Sequence, residues 1–297
     1  FLIRLAPGDP TQIFEDSDMT AEGRAAIRRA WGLDRPLPEQ YLRWMGRTLS
    51  GDWGVSFGQP QPVAAMIRAA LGPTLVLSFA ALAIRYGGGI LLGVAAALYR
   101  DRWLDHLIRI LSLALFSSPT FWLGLVAIFA FSVRFSIFPA GHSSSIEAAS
   151  LSTIPRLLDL LWHLALPALV LGLTAAGATA RLVRNNLIEA LGSDSVRMLR
   201  ARGIPERRIL WWHAGRNALA PVVQTLALAV PALLSGSLVT EVVFSWPGLG
   251  RLAYTAVQQR DFPVILASTA LSGALVLASS VLADLLHGAV DPRVRRV

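Results

Sequence analysis

The sequence predicts an all-α, polytopic membrane protein, and three observations carry that reading. Hydrophobic residues make up 54% of the 297 residues and charged residues only 15%, against about 25% charged in a typical soluble domain. Mean hydropathy is +0.53. Five apolar stretches, at residues 71–98, 107–133, 157–180, 218–243 and 264–290, each reach the roughly 20 residues a helix needs to cross a bilayer. Helix is the assignment because backbone amides in hydrocarbon must be satisfied within each segment, and none of the five alternates as a membrane-barrel strand does.

Taken in order, residues 1–7 (FLIRLAP) read as the end of an earlier span, so a sixth, N-terminal helix is expected ahead of this sequence. From Arg4 to Arg68 eight Arg are balanced by eight acids, and Gly8, Pro10, Pro36, Pro38, Gly51 and Gly54 punctuate the segment. It reads as short helices on an external loop. The chain thus divides into residues 1–70, the end of a first span with its external loop, and residues 71–297, the transmembrane core. Within the spans, Pro167, Pro221 and Pro231 are kinks a packed bundle tolerates. Gly89 and Gly93 form a G-x-x-x-G that predicts close helix contact.

Arginine sets the orientation. Arg100, Arg102 and Arg109, eight Arg in residues 181–217, and Arg293, Arg295 and Arg296 lie on one side, fourteen in all; Arg134, Arg156, Arg251 and Arg260 lie on the other. The excess assigns the basic loop and the C-terminus to the cytoplasm. All 27 basic side chains are Arg, and without Lys the chain cannot carry an ordinary Walker A ATPase site. The lack of Cys removes disulfides, thiolate metal sites and cysteine nucleophiles. A pI of about 11.1 would suggest nucleic acid for a soluble protein, but here the charge clusters at span ends, so no nucleic-acid partner is expected.

The basic loop, with its centre at about residues 187–213, reads as two helices joined by an elbow. Ser193 or Asp194 can cap a short helix that carries Arg197, Arg200 and Arg202 in its later turns, the arrangement the helix dipole favours. Gly203 supplies the C-cap, and Pro205 restarts a helix with Glu206 in its first turn. A fixed elbow transmits force where a flexible linker would absorb it. The residues alone leave two readings: a docking surface for another protein, or a basic loop resting on lipid phosphates.

Ionisable residues inside spans are costly and therefore functional candidates. Arg85 either lines a watery path or pairs with an acid. Glu241, near the external end of its span, is either a functional residue or an interfacial carboxylate in water. Asp284 and His287 lie one turn apart and suit a hydrogen bond better than a proton relay; two such residues are too few for a metal site.

The run D-S-V-R-M-L-R-A-R-G from Asp194 to Gly203, followed by P-E-R-R-I-L-W-W-H-A-G-R-N-A-L-A-P to Pro221, resembles the cytoplasmic signature of dipeptide/oligopeptide permease subunits of ABC importers. Gly8-Asp9-Pro10, Pro119 to Gly124, Pro139-Ala140-Gly141, F-S-W-P-G-L-G-R-L from Phe244, R-D-F-P-V from Arg260 and Asp291-Pro292-Arg293 are similar to that family in the same order. The resemblance spans the whole chain. It departs at Ser195, where the family usually has an aromatic residue, and at Leu199, where it has a small one. The spacing from Gly203 to Pro221 favours the peptide-type branch of the importer superfamily.

This resemblance implies a type I ABC importer permease fold in a bacterial or archaeal cytoplasmic (inner) membrane. It implies a second homologous permease, two ATPase subunits that bind the ATP and Mg, and an extracytoplasmic substrate-binding protein, with no catalytic residue, metal or cofactor in this chain. Asp194, Arg197, Ala201, Arg202, Gly203, Glu206, Arg207 and Arg208 would form the coupling helix that seats in an ATPase subunit. Arg85, Glu241 and Trp246 would belong to the substrate pathway or gate, with the Trp246-Pro247-Gly248 turn supporting the binding protein. Glutathione or a nickel complex could be the solute of the same machinery. A proton-coupled secondary transporter would instead use Asp284 and Glu241, and a channel or scaffold would explain the bundle but not the elbow.

Overall fold

The computed structural model describes Glu22 and residues 34–236 and 238–290. Among these the chain is helical, with a single isolated bridge between Val55 and Pro62. The expectations for residues 1–7, for the external loop ahead of residue 34 apart from Glu22, and for Arg293, Arg295 and Arg296 fall outside the described residues. So do the side chains of Asp284 and His287.

Helix α1, Leu37–Leu49, follows Pro36 and ends at Ser50. The first described span is continuous from Val63 to Leu98, built from α2 (Val63–Ala83), a π-helical turn (Ile84–Gly88) and α3 (Gly89–Leu98). It begins eight residues ahead of the predicted 71–98, directly after Pro62. The added turns carry an exposed Arg68 and bury Val63, Ile67 and Ala70. They are amphipathic rather than uniformly apolar, so a hydropathy reading starts too late.

The second predicted span, 107–133, is corrected by the structure. Helix α4, Trp103–Ser117, and the helical stretch Thr120–Arg134, whose first part is α5 (Thr120–Ala127), meet at a bend of 108°. Pro119 is the cause: it forces Ser118 into extended backbone, at φ −88° and ψ 138°, the conformation a residue before proline prefers. Helix α6 then runs unbroken over Thr153–Gly192, 40 residues with Pro167 inside it, about 60 Å long. It is twice as long as a bilayer core requires. Residues 187–192 of the expected loop are therefore its last turns, and Arg181 and Arg184 are helix residues.

After it come α7 (Asp194–Ala201), the single turn α8 (Glu206–Arg208), a π-helical turn (Ile209–Ala214), α9 (Gly215–Gly236), α10 (Leu238–Val243), α11 (Leu249–Gln258) and α12 (Phe262–Val290). Among the described residues three helices are long and apolar enough to cross a membrane, Val63–Leu98, Thr153–Gly192 and Phe262–Val281, and the bent pair qualifies when taken together. The predicted 218–243 falls on α9 and α10.

Helix α6 is the axis of the bundle. A Cβ on Gly89 would lie 2.6 Å from Thr179 Cβ, one on Gly93 2.6 Å from the Ala180 carbonyl, one on Gly172 2.6 Å from Ile84 Cβ, and one on Gly177 2.8 Å from Ser112 Cβ. The G-x-x-x-G is thus a real contact, with small residues letting backbones approach. At one end Val63 and Ile67 pack with Leu249, Ala256 and Val264; at the other Ala97 and Leu187 pack with Val196, Ile209 and Ala214. Ile110, Leu113, Phe116 and Phe129 remain more than half exposed along the bent pair, a face suited to lipid or another subunit rather than water. Replacing Gly93 by Leu should lower stability by about 1–3 kcal/mol through overpacking, read as a fall in Tm in detergent, whereas Gly72→Leu, whose Cβ meets open space, should leave Tm unchanged.

Candidate functional site

Two clusters of polar chemistry occupy opposite ends of the bundle. At the elbow end, Ser193 Oγ accepts from the Val196 amide at 3.4 Å and donates to the Ala190 carbonyl at 2.7 Å, so Ser193 rather than Asp194 caps α7. Helix α7 closes with the Gly203 amide on the Arg200 carbonyl and the Ile204 amide on the Leu199 carbonyl. Gly203 has φ +73°, a left-handed conformation that costs a side chain about 1–2 kcal/mol. Pro205 stands one position ahead of its expected place, as N-cap of the next turn.

A strut crosses the elbow. Arg200 Nε and Nη2 donate to Glu206 Oε1 and Oε2 at 2.6 and 3.3 Å, and its Nη1 donates to the Leu191 carbonyl at 3.3 Å. The hydrogen bond from Arg200 holds the Glu206 carboxyl below the usual glutamate range, and Glu206 pushes Arg200 further up. Val196 and Ile209 are buried beneath the elbow, so its shape is set by packing as well as charge. The outward surface carries Asp194, Arg197, Ala201, Arg202, Arg207 and Arg208, all exposed, with Met198, Trp211 and Trp212 at 55, 55 and 73% exposure. Gly203 and Glu206 are exposed at the bend between them. A cavity of about 680 Å³ opens beside it, lined among others by Glu189, Ser195, Leu199, Trp212, His213 and Arg216. Ser195 and Leu199, the two departures from the family pattern, face it.

At the opposite end Glu241 is fully buried, which corrects its reading as an interfacial carboxylate in water. Oε2 accepts the amides of Gly250 and Arg251 at 2.7 and 3.1 Å, and Oε1 accepts from Thr74 Oγ1 at 2.8 Å. Thr74 Oγ1 in turn accepts the Leu249 amide at 2.8 Å. The carboxylate thus sits at the N-terminus of α11, where backbone amides and helix dipole favour negative charge. A Cβ on Gly248 would overlap that carboxylate, which explains the Gly in W-P-G-L-G. Trp246 is buried against Leu77, Leu164 and Ala168, and its indole N–H donates to the Pro73 carbonyl at 2.9 Å. It therefore anchors the cap from within and offers its ring to no external partner. Asp261, also buried, accepts from Ser56 Oγ and from the Gly58 amide at 3.1 Å.

Arg85 lies between the two ends, on the π-helical turn. Its guanidinium carbon is 5.1 Å from the centroid of the Tyr86 ring, and its Nε is buried with no hydrogen-bond partner. No described carboxylate pairs with it. Tyr86 Oη donates to Thr225 Oγ1 at 3.4 Å. Among the described residues no three His, Asp or Glu side chains are grouped as a metal would need.

The ion pair between α4 and α6 has no counterpart in the sequence reading. Asp105 on α4 is fully buried and bonded in fork geometry to Arg184 on α6, at 2.7 Å from Nε and 2.6 Å from Nη2. An acid in the first turn of an apolar helix was the available signal; Arg184 had been counted only as part of a basic loop.

Two outcomes are expected. Glu241→Gln places an amide N–H where an acceptor is needed and should cost about 1–3 kcal/mol, read as faster protease cleavage in residues 244–262. Because the folded pKa of Glu206 is depressed, the strut adds stability above the ordinary glutamate range and loses it as pH falls through the lowered value. Amide protection factors across residues 194–209, taken relative to the intrinsic exchange rate at each pH, should therefore be flat from pH 7 to about 5 and fall below about 4, a fall absent from Arg200→Ala.

The comparisons with known proteins agree with this architecture. The family model described as binding-protein-dependent transport system inner membrane component matches residues 89–296. The chain is 36% identical over 294 residues to the oligopeptide transport system permease protein of Bacillus subtilis, covering 99% of this chain and 92% of that protein. It is 37% identical over 312 residues to the di/tripeptide transport system permease protein of Pseudomonas aeruginosa, with 99 and 92% covered. It is 34% identical over 310 residues to the dipeptide transport system permease protein of Escherichia coli K12, with 99 and 91% covered.

Proposed function

The chain belongs to the family of binding-protein-dependent transport system inner membrane components, and from that premise we propose that it forms half of the translocation pathway of an ATP-driven importer of di- and oligopeptides. The peptide assignment rests on the relatives, whose names are those of peptide, dipeptide and oligopeptide permeases. The observation that carries the coupling role is the elbow: a capped, packed and strutted turn whose outer surface is basic and aromatic.

A homologous permease completes the pathway, two ATPase subunits seat the elbows, and a soluble binding protein delivers substrate from outside. The protein lies in the cytoplasmic membrane with the elbow inward, an orientation that the excess of Arg on that side supports. Asp194, Arg197, Ala201, Arg202, Arg207 and Arg208 form the surface that meets the ATPase; Gly203, Glu206 and Arg200 hold its shape. When ATP draws the two ATPase subunits together, each elbow moves with its α6, and the bundle shifts between inward-open and outward-open states, a population shift driven by differential affinity. No covalent step occurs in this chain; ATP and Mg belong to the partner subunits. Glu241 and Trp246 hold the outer cap onto the first span and so define the outer gate. The guanidinium of Arg85, which pairs with no described carboxylate, suits a substrate carboxylate on the path between the two ends.

Gly203→Pro removes the amide that bonds the Arg200 carbonyl and forbids φ +73°. That variant, and the double charge reversal Arg207→Glu with Arg208→Glu, should abolish co-purification of the ATPase subunits from detergent while leaving the permease itself folded. Uptake into vesicles that follows a proton gradient without ATP would sink the reading.

A further inference from the structure

The elbow is joined to the rest of the bundle by more than packing. Arg184 lies on α6 nine residues ahead of Ser193, about 13 Å along an unbroken helix. Its fork holds Asp105, the third residue of α4. Asp105 Oδ2 also accepts the Asp101 amide at 3.0 Å, and Asp101 has φ +60°, so the same carboxylate fixes the turn that enters α4.

A second contact lies two turns away on both helices. Gly177, seven residues before Arg184, meets Ser112, seven residues after Asp105, so closely that a Cβ would lie 2.8 Å from Ser112 Cβ. Equal spacing on antiparallel helices means that one contact is a charged fork and the other a backbone approach in register with it. Together they stop α4 from both sliding along α6 and rolling on it. Apolar faces alone would slide, since their attraction is non-directional. A bidentate guanidinium and carboxylate do not, because the fork geometry is directional and separating the pair strands a buried charge.

Helix α4 leads to the Pro119 bend, and beyond it Gly124 of α5 lies against Val243 and Phe244, next to Glu241. A continuous set of contacts thus runs from the elbow through Arg184 and Asp105 to the outer cap. We propose that Asp105 and Arg184 are positioning residues that convert elbow movement into movement of α4, so that transport per ATP depends on this pair. The proposal rests on the importer reading given above.

The test uses the complete transporter, with its ATPase subunits and binding protein, in proteoliposomes, and measures tritiated dialanine taken up per ATP hydrolysed. Failure of wild type to take up dialanine with ATP counts against the importer reading itself; the variants address only the pair. Asp105→Asn, which removes the buried charge, should assemble and hydrolyse ATP, with uptake per ATP falling at least tenfold and stimulation of ATPase by the binding protein lost. The exchanged pair Asp105→Arg with Arg184→Asp should recover part of the ratio. Arg184→Lys keeps the charge without the fork and should assemble with an intermediate ratio. An unchanged ratio in Asp105→Asn or Arg184→Lys overturns the proposal. So does failure of Arg184→Lys to assemble, since the pair would then serve folding alone.

Discussion

At four glycines, Gly89, Gly93, Gly172 and Gly177, the neighbours of α6 come closer than a methyl group allows, and the bundle is organised around that constraint. Lipid offers helices no hydrophobic reason to associate, so contact energy must come from dispersion between closely placed backbones. The 40 residues of α6 supply a surface long enough to gather the first span on one side and α4 on another. Its length also carries the chain well past the hydrocarbon, delivering the elbow at a fixed distance and angle from the core. The elbow is stiff because what precedes it is a packed helix, and what lies under it, Val196 and Ile209, is buried.

Two buried carboxylates are then satisfied in different ways at the two ends. Asp105 is met by a guanidinium, which suits a link between two helices because the fork is strong and directional. Glu241 is met by backbone amides and a threonine hydroxyl, which suits a fixed cap because amides at a helix N-terminus need no side-chain ordering. Removing one partner of the Asp105–Arg184 pair would leave an uncompensated buried charge. Each carboxylate therefore ties together segments distant in sequence: residues 74, 241 and 250 at one end, and 105 and 184 at the other.

Much of this was legible in the residues. Helical class, the apolar stretches and the elbow follow from hydropathy, from Ser193, Gly203 and Pro205, and from the G-x-x-x-G. What escaped had physical reasons. Span boundaries moved because amphipathic turns such as 63–70 and 181–192 have low mean hydropathy although they are helical. The Pro119 bend was in view as part of a motif, but proline in an apolar run is often tolerated, and only the extended backbone at Ser118 shows that here the helix breaks. The Arg184 and Asp105 pair joins positions 79 residues apart, and no local pattern marks such a partner. The resemblance assigns Trp246 to the pathway or gate on a turn that supports the binding protein, and no local pattern shows that this turn folds inward around the indole.

The elbow's construction also limits how its length can vary over evolution. Ser193 caps one end, Gly203 holds a left-handed bend, and Glu206 reaches back to Arg200 across six positions. One residue inserted between these points rotates everything beyond it by about 100°, turning Arg207 and Arg208 away from their face and Ile209 out of its pocket. A single-residue insertion or deletion within residues 193–209 therefore disrupts the cap, the bend and the strut at once.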